Sequence, residues 1–354
     1  MADRVTVGGW VGSTNLGDEL LFRILSDLLG ARGVTVGGPS LDPAGTMAVH
    51  GTEAHGHLNP SALRHNLVAS DAFVFGPGGL LQDETGIWNL PYHLRRIRAS
   101  RRAGLPWAGI GLGADGLTTN RGRSQVRRTL VGHTAIAVRD EASADALKAL
   151  GVERIVRTAD LAFLAEVPQV SGDGVLGVCL RTPQSGRFRP GALDHAHRWP
   201  DGRADAMATA LDETARATGL TVRFLAFDAR SDGVVHRQVA ERMATAAEVV
   251  EPELDGLVAA LARVDAMATM RYHGAVLAAL GGAGVVALPF SPKLRSIADD
   301  LGPGATVLDE ADTGLPAAVT SVLEHRHHLA DHVDRLRTLA GRNVEVLDEL
   351  LEAS

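Results

Sequence analysis

The chain has 354 residues, more than one ordinary hydrophobic core holds and enough for two. Hydrophobic residues at 45% and charged residues at 22% are those of an ordinary globular protein, which sets aside a disordered or fibrous chain. The net charge is −7, and basic runs stop at pairs such as Arg95-Arg96 and Arg101-Arg102, which argues against nucleic acid as a partner. Cys179 is the single cysteine, so an internal disulfide and a thiolate metal cluster are both excluded; it reads as a small core residue. No apolar stretch reaches membrane-spanning length and residues 1–4 carry no signal pattern, so the expected location is the cytoplasm.

Residues 4–10 form an apolar run that reads as a first strand. The stretch Gly12-Ser13-Thr14-Asn15-Leu16-Gly17-Asp18-Glu19 follows, then an amphipathic helix over 20–29. Asn15 or Asp18 can cap that helix, and Asp18 is also placed to take a proton from a hydroxyl. Residues 37–60 are rich in Gly and Pro, hold His50, His55 and His57 in no metal-ligand spacing, and read as a flexible surface loop. Residues 71–75 form a second strand. It runs into Gly76-Pro77-Gly78-Gly79-Leu80-Leu81-Gln82-Asp83, a turn able to present backbone N–H groups to an anion or a sugar. A helix over 88–102 and a strand over 107–113 come next. Gly111-Leu112-Gly113-Ala114-Asp115-Gly116 is a literal G-x-G-x-x-G, but it comes late in the domain. The polar stretch 117–124 after it reads as poorly helical, so it is a weak dinucleotide signal. A short strand over 135–138 ends in Arg139, at a strand end facing either a ligand or an ion pair with Asp140, Glu141 or Asp160. A helix over 142–150 and Thr158-Ala159-Asp160 close the half.

Residues 167–174 read as a linker, after which the alternation restarts. The strand over 175–180 ends in Arg181. The irregular segment 182–203 holds His195, His197 and Trp199. Helix 204–218, strand 221–227, a loop with Asp228 and Asp232, helix 234–246, strand 248–250 and helix 253–261 follow. The strand over 265–270 delivers Arg271 and His273 to the start of a helix over 274–280. Lys293 follows the next apolar run, 284–290. A helix start offers free N–H groups and a positive dipole end, so Arg271, His273 and Lys293 there read as an anion site containing one titratable acid/base group. The competing reading makes Arg271 the cap of a helix pair and His273 a satisfied buried histidine. A last strand spans 306–308, and 314–351 is helical with a break around 325–328. His328 and His332, four apart, read as a solvated face.

Strand and helix in regular alternation mean parallel sheets covered on both faces. The expected fold class is α/β, with two Rossmann-like domains whose parallel sheets face a central cleft. The expected boundaries are 1–168, 173–325, and a terminal helix over 326–354 packing back on the first domain.

Six segments in order resemble the polysaccharide pyruvyl transferase family: residues 12–19, 76–83, 138–143, 158–160, Met270-Arg271-Tyr272-His273 and Ser291-Pro292-Lys293. The resemblance implies a fold similar to the GT-B glycosyltransferases. It also implies transfer of pyruvate from phosphoenolpyruvate onto a sugar of a cell-surface glycan as a ketal. By resemblance, Arg139, His273 and Lys293 hold the phosphoenolpyruvate in the second domain and Asp18 lies on the acceptor side. Arg271, Arg181, Asn15, Gly17, Gly78, Gly79 and Gln82 complete the expected substrate-binding set. In this reading His273 is the general acid, Asp18 the base, and Arg139 a stabiliser of the departing phosphate. No cofactor and no metal is expected. The acceptor is a glycan, a lipid-linked sugar or a small metabolite, and a homo-oligomer is compatible with the sequence. With aromatic residues at 4%, stacking surfaces for a long glycan are expected to be sparse. A nucleotide-sugar glycosyltransferase, a silent glycan-binding protein and a nicotinamide enzyme are the alternatives.

Overall fold

The structure is a computed structural model describing residues 2–84, 86, 88–114, 116–130, 135–182, 198–288, 291–310 and 314–354. Two parallel sheets form its frame. The first half runs β1 (Arg4–Val7), α1 (Leu16–Gly30), β2 (Thr35–Ser40), α2 (Pro43–His50), β3 (Glu53–Gly56), α3 (Pro60–Val68), β4 (Ala72–Phe75) and α4 (Asn89–Arg102). It continues through β5 (Trp107–Leu112), α5 (Asn120–Leu130), β6 (Ile136–Val138), α6 (Glu141–Lys148) and β7 (Ile155–Arg157). The second half runs β8 (Val175–Cys179), α7 (Asp201–Thr218), β9 (Thr221–Leu225), α8 (Asp232–Ala240), β10 (Ala247–Val250), α9 (Leu254–Leu261) and β11 (Ala266–Thr269). Then come α10 (Tyr272–Leu280), β12 (Gly284–Ala287), α11 (Pro292–Leu301), β13 (Ala305–Val307), α12 (Leu315–His325) and α13 (Leu329–Glu352).

The strand orders are β3-β2-β1-β4-β5-β6-β7 and β10-β9-β8-β11-β12-β13. Each order reverses direction once, between β1 and β4 and between β8 and β11. Open α/β sheets bind ligands at such a point, outside the carboxyl ends of the strands. The central strands are buried on both faces, which is why residues 72–75 and 266–269 read as unbroken apolar runs.

The halves meet through one continuous apolar core that includes Leu20 and Leu21 of α1, Leu257 of α9, Ala275 and Val276 of α10 and Leu347 of α13. The amide of Leu16 donates to the carbonyl of Phe227 at 2.7 Å, tying the start of α1 to the end of β9. Helix α13 lies on β5: Asn343, 1% exposed, accepts from the Gly111 amide at 2.9 Å and donates to the Ala159 carbonyl. Arg32, just beyond the end of α1, pairs with Asp348 of α13 at 2.6 Å.

Several expectations are corrected. Residues 37–60 are no flexible loop but hold the end of β2, then α2, β3 and the first residue of α3. Asp42 and Asn59 cap the two helices, each accepting an amide hydrogen bond. His50 is a buried partner of Glu19, with Nε2 3.0 Å from Oε2. Among the described residues no group of His, Cys, Asp or Glu has a metal-site arrangement. The stretch 117–124 is not uniformly poor in helix, since α5 begins at Asn120. Asp232 belongs to α8 and not to the preceding loop. The glycines of the G-x-G-x-x-G are spent on packing: Gly111 bonds Asn343 and Gly113 faces Arg139. Asp115 of that motif lies outside the described residues, as do His195, His197 and Phe290.

Candidate active site

At the reversal point of the first sheet, the turn after β1 enters α1. The side chain of Asn15 caps the helix by accepting from the Gly17 amide at 3.2 Å, and its amide donates to Asp18 at 2.6 Å. An Asn N-cap satisfies an otherwise orphaned donor while orienting the acid beside it. Glu19, the neighbouring acid, turns away to accept from the Ser13 amide and to meet His50. The loop after β4 comes alongside: a β-carbon at Gly78 would stand 4.0 Å from Oδ1 of Asp18.

His273 enters from the second half, in the first turn of α10. Its ring lies so close to Gly17 that a β-carbon there would overlap Nδ1. Its other nitrogen, Nε2, is buried without a hydrogen bond, 3.7 Å from Oδ1 of Asp160. Asp160, which follows β7, accepts from Arg139 Nη1 at 3.2 Å through its second oxygen and from the Ala162 amide at 3.0 Å. Arg139 is 4% exposed, also meets Asp140 at 3.4 Å, and stacks its guanidinium 4.7 Å from the ring centre of Tyr272. Two glycines make room for it: β-carbons at Gly113 and Gly79 would be 2.8 and 3.6 Å from Nη2. Lys293 lies in the first turn of α11, close enough for its charge to act on Asp18.

The two carboxylates are pushed apart. Burial raises the Asp18 carboxyl above its ordinary range, only partly offset by His273, Asn15 and Lys293. Burial works the same way on Asp160, but the nearby His273, the charge of Arg139 and the Ala162 amide outweigh it and hold that group down at about 2. Asp160 is therefore a fixed anion and Asp18 a proton acceptor shifted toward neutrality.

Arg139, Asp18, His273, Lys293, Asn15, Gly17, Gly78 and Gly79 thus fall into one neighbourhood. Arg139 realises the ion-pair reading of its strand-end position, pairing with Asp140 and Asp160. Arg271 does not join it in the same way. It is committed to Asp232, with Nη2–Oδ1 2.6 Å and Nε–Oδ2 3.0 Å, and also bonds Ser231. The Arg271 side chain thus ties the start of α8 to the start of α10 without itself capping α10, and His273 is not a satisfied histidine, since its Nε2 has no hydrogen bond. Arg181 stands beside Arg271, and burial with that neighbouring charge lowers its pKa to about 10. Gln82 sits further along the β4 loop, packed against Gly116, its carbonyl accepting from Asn89. Asp160 was not among the expected functional residues; its place just beyond a strand's carboxyl end was the available signal.

The sequence profile of the polysaccharide pyruvyl transferase family matches residues 15–292, a span that opens at the Asn15 cap and closes one residue before Lys293. The chain belongs to that family. No curated protein sequence matches it. Among solved structures, the likeness is to UDP-glucose:anthocyanidin 3-O-glucosyltransferase in complex with UDP (12% identity, 99% of each chain, TM-score 0.60). Anabaena Alr3699/HepE in complex with UDP-glucose is similar at 12% identity over 100% of this chain and 99% of that one, TM-score 0.59. UDP-GlcNAc 2-epimerase from Neisseria meningitidis bound to UDP-GlcNAc is similar at 11% identity over 99% and 100%, TM-score 0.58. At these identities the likeness is one of fold, and it shows this pyruvyl transferase family member to be GT-B-like. No helix among the described residues is long and apolar enough to cross a membrane.

Proposed function

We propose that this family member moves pyruvate from phosphoenolpyruvate onto two hydroxyls of a sugar in a glycan, forming a ketal and releasing phosphate. The observation that carries the reading is the meeting of Asp18 and His273 across the join of the two halves, backed by the Asp160 anion and the Lys293 cation. Phosphoenolpyruvate joins a phosphate to a carboxylate and carries about three negative charges near neutrality. Lys293 and Arg139 supply cationic charge for those groups, with Arg139 shared with Asp140 and Asp160.

In this reaction His273 delivers a proton to the methylene carbon, which becomes a methyl group. A first sugar hydroxyl bonds to the adjacent carbon and gives its proton to Asp18, whose raised proton affinity suits a base. A second hydroxyl then displaces phosphate, which leaves with the remaining proton. Asp160 sits on the far side of the imidazole from Gly17, where it fixes the ring and balances the charge His273 carries as acid. In deuterated water, with a glycan acceptor, the ketal methyl group is expected to contain one solvent deuteron and phosphate to appear in equal amount. Transfer of a glycosyl group from a nucleotide sugar, with no phosphate from phosphoenolpyruvate, is the opposing result.

A further inference from the structure

The first half carries a second concentration of chemistry at the same sheet edge, used by none of the steps above. Trp10 follows β1, His57 follows β3, and Tyr92, Arg95 and Arg96 lie on α4 after β4, so the topology gathers all five on the carboxyl side of the sheet. The ring of Tyr92 is met edge-on by Trp10 (6.0 Å between centres, 81°) and by His57 (5.9 Å, 74°). The guanidinium carbons of Arg96 and Arg95 stand 4.2 and 5.3 Å from its centre. One of the chain's two tyrosines and one of its four tryptophans thus sit together, against the expectation that stacking surfaces are sparse.

The charges there are unbalanced. Arg96 is 1% exposed; it donates to the Gly9 carbonyl at 2.8 Å and to the Tyr92 hydroxyl, and its Nε has no partner. Arg95 donates from Nη2 to the His57 carbonyl at 3.0 Å, and its Nε is also buried without a partner. Among the described residues neither guanidinium has a carboxylate at ion-pair distance, and burial lowers the pKa of Arg96 to about 10. Burial and these arginines lower the proton affinity of His57, so it adds no further positive charge. A buried cation such as Arg96, with the partly exposed Arg95 beside it, is costly unless something neutralises it. Sugar sites combine an apolar ring face with a few polar groups that fix orientation.

We propose that Trp10, Tyr92 and Arg95 form the acceptor subsite, and that it takes a sugar bearing an anionic group, a phosphate or a carboxylate, with the sugar ring on the aromatic pair and the anion on the guanidinium. Calling the ligand an acceptor rests on the pyruvyl transfer reading; the binding itself does not. Trp10 lies five residues before Asn15 in the loop that leads to Asp18, and Gly9 packs on Gly76 at the start of the loop that carries Gly78. An anion held there directs the neutral hydroxyls of the same ring toward the base.

Calorimetric titration of the full chain tests this with hexose and N-acetylhexosamine 1-phosphates, hexuronic acids, the matching neutral methyl glycosides, and inorganic phosphate. At least one anionic sugar is expected to bind tenfold or more tighter than both its neutral glycoside and inorganic phosphate, and whether the phosphates or the uronic acids do so identifies the anion. Arg95→Gln, a partly exposed position, should erase that advantage, and Trp10→Leu should weaken the anionic sugar about tenfold; melting curves verify that each variant is folded. The proposal is overturned if no anionic sugar outbinds its neutral counterpart, or if the preference survives in Arg95→Gln. A melting shift with phosphoenolpyruvate, recorded on the same samples, keeps the two readings separate. Its absence alongside sugar binding refutes the donor, and its presence without anionic preference refutes this subsite.

Discussion

His273, on the first turn of a helix in the second half, rests its imidazole directly against the α-carbon of Gly17, on the first turn of a helix in the first half. The join between the two sheets is made at this contact, and it explains why residue 17 has no side chain. Alanine favours a helix over glycine by about 1 kcal/mol, so Gly17→Ala should leave the fold intact. Its methyl group must displace the imidazole, and a shift of about 1 Å in a reacting group costs on the order of 100-fold. Steady-state kinetics together with a melting curve check this: a folded variant with kcat/KM down 100-fold is expected.

A parallel case holds Arg139. A β-carbon at Gly113 would lie 2.8 Å from its guanidinium, in a wall where Asp140, Asp160 and Tyr272 leave no room to retreat. Gly113→Ala should cost about 1–3 kcal/mol by overpacking and lower activity with it. Gly202, in α7 with open space around it, is the control: Gly202→Ala should hold or raise stability by up to about 1 kcal/mol. Chemical denaturation of the two variants makes the comparison.

Asp160→Asn separates charge from shape. Removing one partner of a buried ion pair costs about 3–5 kcal/mol; Arg139 retains Asp140, so the low end is expected. Because the Asp160 carboxyl is held at about 2, its contribution to stability is present above the ordinary carboxylate range and is lost as pH falls toward 2. The stability gap between wild type and variant should therefore narrow on acidification. Loss of the anion behind His273 should lower kcat about 100-fold.

Asp18 carries the opposite sign. Burial raises its proton affinity, so the folded chain holds a proton that the unfolded chain has released, and stability from this group declines as pH rises through the raised value. Asp18→Asn removes that penalty. Thermal melts should show the variant more stable than wild type, by a margin that grows as pH rises from the ordinary carboxylate range through the raised value, while turnover is abolished. A catalytic acid that costs stability is the usual trade at an active site.

Much of this was legible in the sequence because the informative residues stand at strand ends. The runs 72–75, 107–112 and 266–269 announce central parallel strands; Gly78 and His273 come soon after two of them, Arg139 directly after β6, and Asp18 in the helix that follows β1. The edge of the first sheet was not legible. Strand β2 reads TVGGPS and β3 reads EAHG, compositions that suit a loop by local preference and pair as strands only because neighbouring backbones complete their ladders. The partner of Arg271 was not legible either, because its guanidinium is claimed by Asp232, 39 positions away. Asp160 was foreseen only as a candidate ion-pair partner of Arg139; its nearness to His273 was hidden because the two are far apart in sequence.

The central claim is that the cleft between the halves holds phosphoenolpyruvate. A melting-temperature titration of the full chain with phosphoenolpyruvate, and separately with UDP, tests it directly. A ligand present at 100 times its Kd stabilises by about 2.7 kcal/mol, well within reach of the measurement. Phosphoenolpyruvate should raise the melting temperature in a saturable way, Lys293→Ala and His273→Ala should each abolish most of the shift, and UDP should produce none. A saturable shift with UDP and none with phosphoenolpyruvate would contradict the account.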